Sequence, residues 1–412
     1  MNSPLPPATE NQNKREDRAR SRRLIFDVAV GVALALALLV VLVVDALNGT
    51  NSSEQTLEGR FIEEATPGET AAALRLAVTP PEFDDMGGLL DTLGHGYQYE
   101  KASFHEFLEP DGLKRYDVLF LTCGGVPTSW LSERLRDSER GSAGVYRAKP
   151  ETVKSLYDNI RDFVRNGGTL YVSDLHFDVL VIAFPEFIDD AAVGRGAVQT
   201  VDAQVVDEGL RKQLGEEISL RFDMRSWRPA AFRESKVTTY LRGEYELVDG
   251  KKQNGPLLVS FPFDKGTVIF TSFHNEAQNS DLETLLLRYL VFASVTAREQ
   301  EDVRQVLVKG GFSPRQRNLL ALTTEDQPVT DVYENEETGP LQFVLGFANR
   351  GAHLKLTVTS PKGKKTEKTG RETFSIGIDR AEAGKWEYTI SPVEVPYRNF
   401  PFALTIGKKP TE

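Results

Sequence analysis

The sequence predicts an α/β domain built on a parallel sheet, followed by an antiparallel β-sandwich. Strands alternate with helices from about residue 74 onward, in the order typical of parallel α/β proteins. The clearest segments are an apolar strand at residues 116–122 (YDVLFLT) and a helix with apolar residues at helical spacing over 153–164. After residue 331 the apolar period changes to two, and five short alternating segments predict the sandwich.

Each element of the α/β domain has a local signal. Strands are predicted at residues 74–79, 97–104, 116–122, 169–173 and 268–270. The helix over 153–164 ends at Gly167 and Gly168, and glycine commonly follows a helix. The segment SDLE at 280–283 has capping-box form and predicts a closing helix after the last strand. Apolar residues between 194 and 262 indicate added strands or a cover over the sheet.

The first candidate site follows the last of these strands, in the stretch 265–279 (KGTVIFTSFHNEAQN). Its apolar run is short and continuous, as in strands covered on both faces, and it stops at a polar cluster that contains His274, Asn275 and Glu276. In open α/β sheets, ligands bind beyond the carboxyl ends of the strands. The cluster is therefore the first place to expect chemistry.

The segment FTSFHNEAQ resembles the C-terminal signature of class I glutamine amidotransferase-like domains, where a strand ends in Phe-His-Pro-Glu. His274 and Glu276 match the His and Glu of that family's Cys-His-Glu triad, and Asn275 replaces the proline. The resemblance covers roughly residues 74–297, and the segments YDVLFL and VRNGG are similar to its ThuA-like branch. It implies a flavodoxin-like parallel sheet with helices on both faces. A structural histidine at a strand end is the alternative interpretation.

The nucleophile that this family requires is missing from the expected place. The resemblance puts a cysteine on a sharp turn after the fourth strand, where backbone amides stabilise the oxyanion. Residues 173–176 (SDLH) occupy that turn, without a cysteine or a flanking glycine. The single cysteine, Cys123, follows the third strand, where Gly124 and Gly125 match the glycine-rich segment of the oxyanion hole. We interpret Cys123 as a buried core residue and expect no glutamine hydrolysis.

Two functions remain open. The preferred one is non-enzymatic: a ligand-sensing or assembly component that binds a protein partner or small ligand in the α/β cleft, at Gly124, Gly125 and Asn275. The alternative is a hydrolase or lyase of the same superfamily, and its candidate catalytic residues are His274, Glu276, Asp174 and His176. These side chains are acid/base groups and metal ligands, but Asp and His at strand ends also cap loops, so neither a metal nor a cofactor is predicted.

The first seventy or so residues predict a membrane anchor. Residues 1–23 form a tail with six basic and three acidic side chains. Residues 24–46 approach the ~20 apolar residues that span a bilayer, and 47–72 form a polar linker. The positive-inside rule predicts a single-pass membrane protein with a cytoplasmic N-terminus and its bulk periplasmic or extracellular. A bacterial source is expected. A cleaved signal peptide is the alternative.

The remaining chain divides into an α/β domain at 73–298, a linker or edge segment at 299–330, and a β-sandwich at 331–410. The segment AGKW at 383–386 resembles the entry strand of jelly-roll-like modules, which bind or space rather than catalyse. The net charge is −11, and the negative charge is concentrated between the tail and the C-terminal module, so no nucleic acid partner is expected. One cysteine excludes an intramolecular disulfide and a multi-cysteine zinc site.

Overall fold

A computed structural model describes the chain in seven ranges. They are residues 74–102, 104–109, 111–124, 150–278, 280–322, 327–348 and 351–409. The predicted transmembrane segment at 24–46, with its tail and linker, lies outside them. Among the residues within these ranges, no helix is both long enough and apolar enough to cross a bilayer. This finding contradicts the prediction of a single-pass membrane protein, and we correct it: the described residues contain no membrane-spanning helix.

The bounds of the regular elements are as follows. The helices are α1 (Met86–Leu93), α2 (Phe104–Leu108), α3 (Pro150–Arg165), α4 (Phe177–Ala183), α5 (Glu208–Leu214), α6 (Asp281–Val295) and α7 (Ala297–Lys309). The strands up to the last one of the α/β domain are β1 (Leu76–Val78), β2 (Tyr99–Lys101), β3 (Val118–Leu121), β4 (Thr169–Ser173), β5 (Gln199–Val205), β6 (Glu217–Phe222), β7 (Thr238–Glu246), β8 (Lys252–Phe263) and β9 (Gly266–Thr271). The remaining strands are β10 (Ser313–Leu322), β11 (Val329–Asn335), β12 (Gly339–Gly346), β13 (His353–Thr359), β14 (Lys365–Gly370), β15 (Phe374–Ala381), β16 (Gly384–Glu394) and β17 (Phe400–Lys408).

The first nine strands form one mixed sheet in the order β2-β1-β3-β4-β9-β8-β7-β5-β6. Strands β2, β1, β3, β4 and β9 pair in parallel, whereas β8, β7, β5 and β6 continue the sheet by antiparallel pairing. The prediction of a flavodoxin-like parallel sheet is therefore wrong. Strands make up 43% of the described residues and helices 26%, so this part of the chain is mainly a β structure.

The antiparallel extension comes from the segment between residues 194 and 262. Strands β5 and β6 alternate between exposed and buried residues, a pattern typical of antiparallel strands with one face toward solvent. A tight turn at Gly250, with φ of 82°, connects β7 to β8. Strand β8 then covers the free edge of β9. As a result, β9 lies inside the sheet, between a parallel and an antiparallel neighbour.

Apolar clusters lie on both faces of the mixed sheet. On one face α3 and α4 pack through residues such as Ile160 and Leu180, and on the other α1 and α6 pack through Leu90 and Leu290. All four side chains are buried, and burial of each contributes roughly 1.5–3 kcal/mol. Helix α6 begins at a capping box in which the Ser280 side chain and the residue three positions later satisfy each other's backbone donors.

The C-terminal strands form two four-stranded antiparallel sheets, β10-β17-β12-β15 and β11-β16-β13-β14, which enclose a separate core. Residues 299–330, predicted as a linker or edge segment, instead supply most of α7 and the first strand, β10. Helix α7 packs on this module through Val303 and Leu307 against Val344. The sequence of β10, SPRQRNLLAL, lacks the alternation of apolar residues that identifies the other strands. The module therefore begins before residue 331.

Candidate functional site

The carboxyl ends of four neighbouring strands bring ionisable side chains together. Asp84 follows β1, Cys123 follows β3, Asp174 follows β4 and His274 follows β9. Their exposed fractions are 0%, 0%, 1% and 5%, respectively. We call these four residues the strand-end cluster. Buried ionisable groups at this edge of a sheet are typical of functional sites, because ligands bind beyond the strand ends and burial is otherwise costly.

Asp174 holds the centre of the cluster. Its backbone has a φ of 43°, in the left-handed region, at the point where β4 turns sharply toward α4. One carboxylate oxygen, Oδ1, accepts a hydrogen bond from the Arg228 backbone N–H at 2.6 Å. The other, Oδ2, lies 2.8 Å from His274 Nε2. A left-handed residue other than glycine costs about 1–3 kcal/mol and persists where the surrounding contacts hold it.

The His274 imidazole lies between two carboxylates. Besides the Asp174 contact at Nε2, its Nδ1 lies 3.7 Å from Oδ1 of Asp223, a residue whose side chain is 42% exposed. The contact at Nε2 is short, but it is not aligned as a hydrogen bond. Burial lowers the pKa of His274, but the Asp174 carboxylate and the Cys123 sulfur outweigh burial and raise that pKa to about 11.

Cys123 is buried, as its interpretation as a core residue requires, but its neighbours are polar. Its Sγ lies 3.9 Å from Asp174 Oδ2, and its backbone N–H donates to Ser173 Oγ at 3.0 Å. One ligand-capable atom each from Cys123, Asp174 and His274 lies within 4.8 Å of the others. Burial raises the pKa of the Cys123 thiol, and the nearby His274 offsets only part of that rise.

Asp84 ties three strand ends to one another. Ser173 Oγ donates to its Oδ2 at 2.8 Å, and the Asn275 backbone N–H donates to its Oδ1 at 2.9 Å. Burial raises the pKa of Asp84 to about 6, against the opposing influence of His274 and these hydrogen bonds. The Ser173 hydroxyl, between Asp84 and the Cys123 backbone, is thus committed to holding the loops in place.

The structure brings only some of the predicted catalytic residues together. His274 and Asp174 come into contact, whereas Glu276 is exposed and Asp174 and Asp223 occupy the positions beside the imidazole. The chain bends and turns after β9, so residues two apart there do not share a face as they would in a strand. His176 is buried in the turn between β4 and α4.

The predicted ligand-binding residues also differ from one another. Asn275 is buried and accepts a hydrogen bond from the Tyr171 hydroxyl at 3.3 Å. Its role is therefore to stabilise the loop after β9. Gly124 has a φ of 99°, and a Cβ there would lie 2.8 Å from the ring of Phe83. A glycine is therefore required at this position. Gly125 lies outside the described residues.

Several residues of the site carried no clear signal in the sequence. Asp84 and Cys123 each follow a predicted strand of the sheet. Their place after a strand was the signal that could have assigned them to the site. Asp223 and Arg228 come from the segment between 194 and 262, whose place in the sheet the local pattern does not reveal. Arg228 also pairs with Asp178 on α4 at 2.5 Å, which fixes the loop whose backbone binds Asp174.

Several cavities lie elsewhere, including at the opposite end of the sheet. Two of them, of about 590 and 670 Å³, are lined by residues that precede the parallel strands, including Arg75, Asp117 and Gly167. Arg75 and Asp117 form a partly exposed ion pair at 2.9 Å. Exposed ion pairs of this kind contribute little free energy and do not by themselves indicate a site. The strand-end cluster is the stronger candidate because its ionisable groups are buried together.

No family model and no curated protein matches the chain. Among solved structures, the chain is similar to a cytoplasmic protein from Salmonella typhimurium, with 13% identity over 52% of this chain and 97% of that one, and a TM-score of 0.32. It is also similar to a Yersinia pseudotuberculosis-derived mitogen (14% identity, 24% and 91% coverage, TM-score 0.20) and to a catalytic mutant of a GH42 beta-galactosidase from G. stearothermophilus (12%, 77% and 40%, TM-score 0.24). These scores support no assignment of fold or function, so the amidotransferase-like resemblance stays a prediction.

Proposed function

We propose that the α/β domain is a catalytically degenerate, amidotransferase-like module that senses a ligand or takes part in assembly. The observation that carries the proposal is the position of Asp174. It occupies the sharp turn after β4 where a covalent catalyst of this kind presents its nucleophile.

None of the described side chains at this turn is placed to attack a carbonyl carbon. One oxygen of Asp174 accepts a hydrogen bond from the Arg228 backbone, and the other faces the buried His274 ring. The Ser173 hydroxyl donates a hydrogen bond to Asp84. The Cys123 sulfur is fully buried beside the Asp174 carboxylate, on a different strand end. Covalent hydrolysis needs an accessible nucleophile with a base beside it, and this arrangement favours binding instead.

The cost of the cluster supports a binding role. Removing charged groups from water costs several kcal/mol for each ion, and their mutual attraction offsets this only with good geometry. Asp174 and His274 are both almost fully buried, yet their contact is not aligned as a hydrogen bond. A pair of this kind adds little to stability by itself. Its place at the carboxyl ends of the strands, where α/β sheets bind ligands, accounts for its presence.

The test uses the purified full-length chain. We expect no release of ammonia from glutamine and no turnover of simple amide or ester substrates. A thermal-shift screen should find ligands that raise Tm in the wild type, and Asp174→Asn should abolish the shift. Glu276→Gln, which changes an exposed neighbour, is the matched control and should respond like the wild type. Turnover that disappears in a folded His274→Ala variant would overturn the proposal.

One observation favours the second candidate, a hydrolase or lyase that uses His274. The imidazole lies between Asp174 and Asp223 with the Cys123 sulfur close by, so a thiol, an imidazole and orienting carboxylates are present together. In this case Cys123→Ser and His274→Gln would each abolish turnover of an amide, ester or sugar substrate. A ligand that binds without being consumed supports the first candidate instead.

A further inference from the structure

We infer that Cys123, Asp174 and His274 bind Zn²⁺ or a similar divalent metal ion such as Co²⁺. The inference rests on the proposed ligand-binding function and deepens it, because it names the ligand.

The distances between the three donor atoms match a metal site. Asp174 Oδ2 lies 2.8 Å from His274 Nε2 and 3.9 Å from Cys123 Sγ, and all three atoms fall within 4.8 Å of one another. Zinc binds nitrogen and oxygen at about 2.0–2.2 Å and sulfur at about 2.3 Å, so donors of a tetrahedral site are separated by roughly 3–4 Å. Shifts of less than about 1 Å would let these atoms share one ion.

A second observation concerns the His274 ring itself. Nε2 is buried, and its short contact with Asp174 lacks the alignment of a hydrogen bond. On the other side of the ring, Nδ1 faces the Asp223 carboxylate at 3.7 Å. Metal-binding histidines commonly donate their second ring N–H to a carboxylate, which leaves the first nitrogen free for the ion. At 3.7 Å the Asp223 carboxylate lies just beyond hydrogen-bond distance, and an approach of about 0.7 Å would let it take this role.

The rest of the site also leaves one donor atom for each ligand. The Arg228 backbone N–H occupies Asp174 Oδ1, whereas Oδ2 faces His274 Nε2 and Cys123 Sγ, so Oδ2 is the oxygen that an ion between the three residues would bind. Each of the three residues stands at the end of its own strand, and direct pairing of β3 with β4 and of β4 with β9 keeps their spacing constant. Three ligands held by a rigid sheet form a site before the metal arrives.

The donor types select the metal. A thiolate, an imidazole and one carboxylate suit Zn²⁺ and its neighbours, whereas Mg²⁺ and Ca²⁺ bind almost entirely through oxygen. With three protein ligands, a zinc ion keeps a fourth position for water or another molecule. The proposed module would therefore respond either to the metal itself or to a small ligand that completes the metal's coordination.

The test is Co²⁺ binding to the full-length chain after removal of metals with a chelator. Co²⁺ is the probe because a cysteine ligand gives thiolate-to-cobalt charge-transfer absorption. We expect one equivalent to bind with that absorption, and Zn²⁺ to displace it and to raise Tm. Cys123→Ser should remove the charge-transfer band. Asp223→Asn should weaken binding by about 10- to 100-fold, the range for partners that orient a ligand. Glu276→Gln should bind as tightly as the wild type.

The readouts separate this inference from the proposed function. A wild-type protein that binds no Co²⁺, or binds it without thiolate absorption, overturns the metal site whether or not the Cys123→Ser variant folds. In that event a small molecule that raises Tm still supports ligand sensing. Conversely, a thiolate-bound metal in a protein that hydrolyses amides confirms the metal site and overturns the non-enzymatic proposal.

Discussion

His274 Nε2 lies 2.8 Å from Asp174 Oδ2, and this contact joins the ends of two neighbouring parallel strands, β9 and β4. The pair is almost fully buried and stands where the amidotransferase-like resemblance places a histidine and its nucleophile. A carboxylate in that position changes what the site can do, because it attracts a cation instead of attacking a carbonyl. The contact is therefore central to both the proposed function and the metal inference.

The backbone of Asp174 offers the first prediction. Asp174→Ala removes the carboxylate but keeps a Cβ at a φ of 43°. Asp174→Gly removes the same contacts and tolerates the left-handed conformation. We expect both variants to be less stable than the wild type and the alanine variant to be about 1 kcal/mol less stable than the glycine variant. Urea unfolding of the three proteins measures the difference. Equal stability of the two variants would show that the turn relaxes.

Cys123 offers the second prediction. Its side chain is fully buried and burial raises the pKa of its thiol, so a thiol reagent should label the folded, metal-free protein slowly at neutral pH. Labelling should become rapid in concentrated urea. Because the chain has one cysteine, mass spectrometry of the intact protein reports this residue without ambiguity. Fast labelling of the folded protein would mean that the strand ends open to solvent.

Asn399 offers the third prediction, on the attachment of the sandwich to the α/β domain. Its side chain accepts from Arg288 at 2.8 Å and donates to the Leu93 carbonyl at 3.0 Å. Its backbone has a φ of 57°, a region that asparagine tolerates better than most residues. Asn399→Ala should therefore reduce the free energy of unfolding by about 1–3 kcal/mol. Tyr97→Phe, which removes a hydroxyl bonded to the Asn399 carbonyl, is the control.

Asn399→Ala and Tyr97→Phe remove different numbers of hydrogen bonds. Tyr97→Phe loses one hydrogen bond without changing the backbone at residue 399, so we expect a smaller loss, of about 1 kcal/mol. The stability of both variants is measured by urea unfolding. Limited proteolysis measures cleavage between the α/β domain and the sandwich. If Asn399→Ala matches the wild type in both assays, the attachment depends on apolar packing alone.

Asp331 offers the fourth prediction, on pH dependence. Burial raises the pKa of this carboxyl, but hydrogen bonds from the Tyr388 hydroxyl and the Val332 N–H, with the charge of Lys212, outweigh burial and lower it below its usual value. The pKa of Asp331 in the folded protein is thus lower than in the unfolded chain, where it is about 4. The resulting stability is fully present above about pH 5 and is lost as the pH falls through the folded pKa.

Replacement of this carboxyl should remove its part of the acid response. Unfolding free energies of the wild type and Asp331→Asn, measured between about pH 2 and 6, should differ most near pH 6 and converge at low pH. The Tyr388 hydroxyl lies 2.7 Å from Asp331 Oδ2, so Tyr388→Phe should weaken the same response. A constant difference across the range would assign the effect of Asp331→Asn to packing instead.

Local signals in the sequence were enough to predict the strands and helices around the site. The apolar run before residue 271 becomes β9, the pair Gly167 and Gly168 follows α3, and the capping box at Ser280 starts α6. Each of these signals depends on residues a few positions apart, because a strand or helix repeats over two to four residues. His274 was found in the same way, as the first ionisable residue beyond a buried strand.

Which residues come into contact at the site depends on how distant segments pack together. Strands β5 to β8 extend the sheet beyond β9 in antiparallel fashion, and this pairing depends on contacts between segments that are distant in the sequence. The same order of strands brings Cys123 beside His274, while the bend after β9 leaves Glu276 exposed. Neither result follows from local periodicity, because strand neighbours and loop directions are set by packing across the whole sheet.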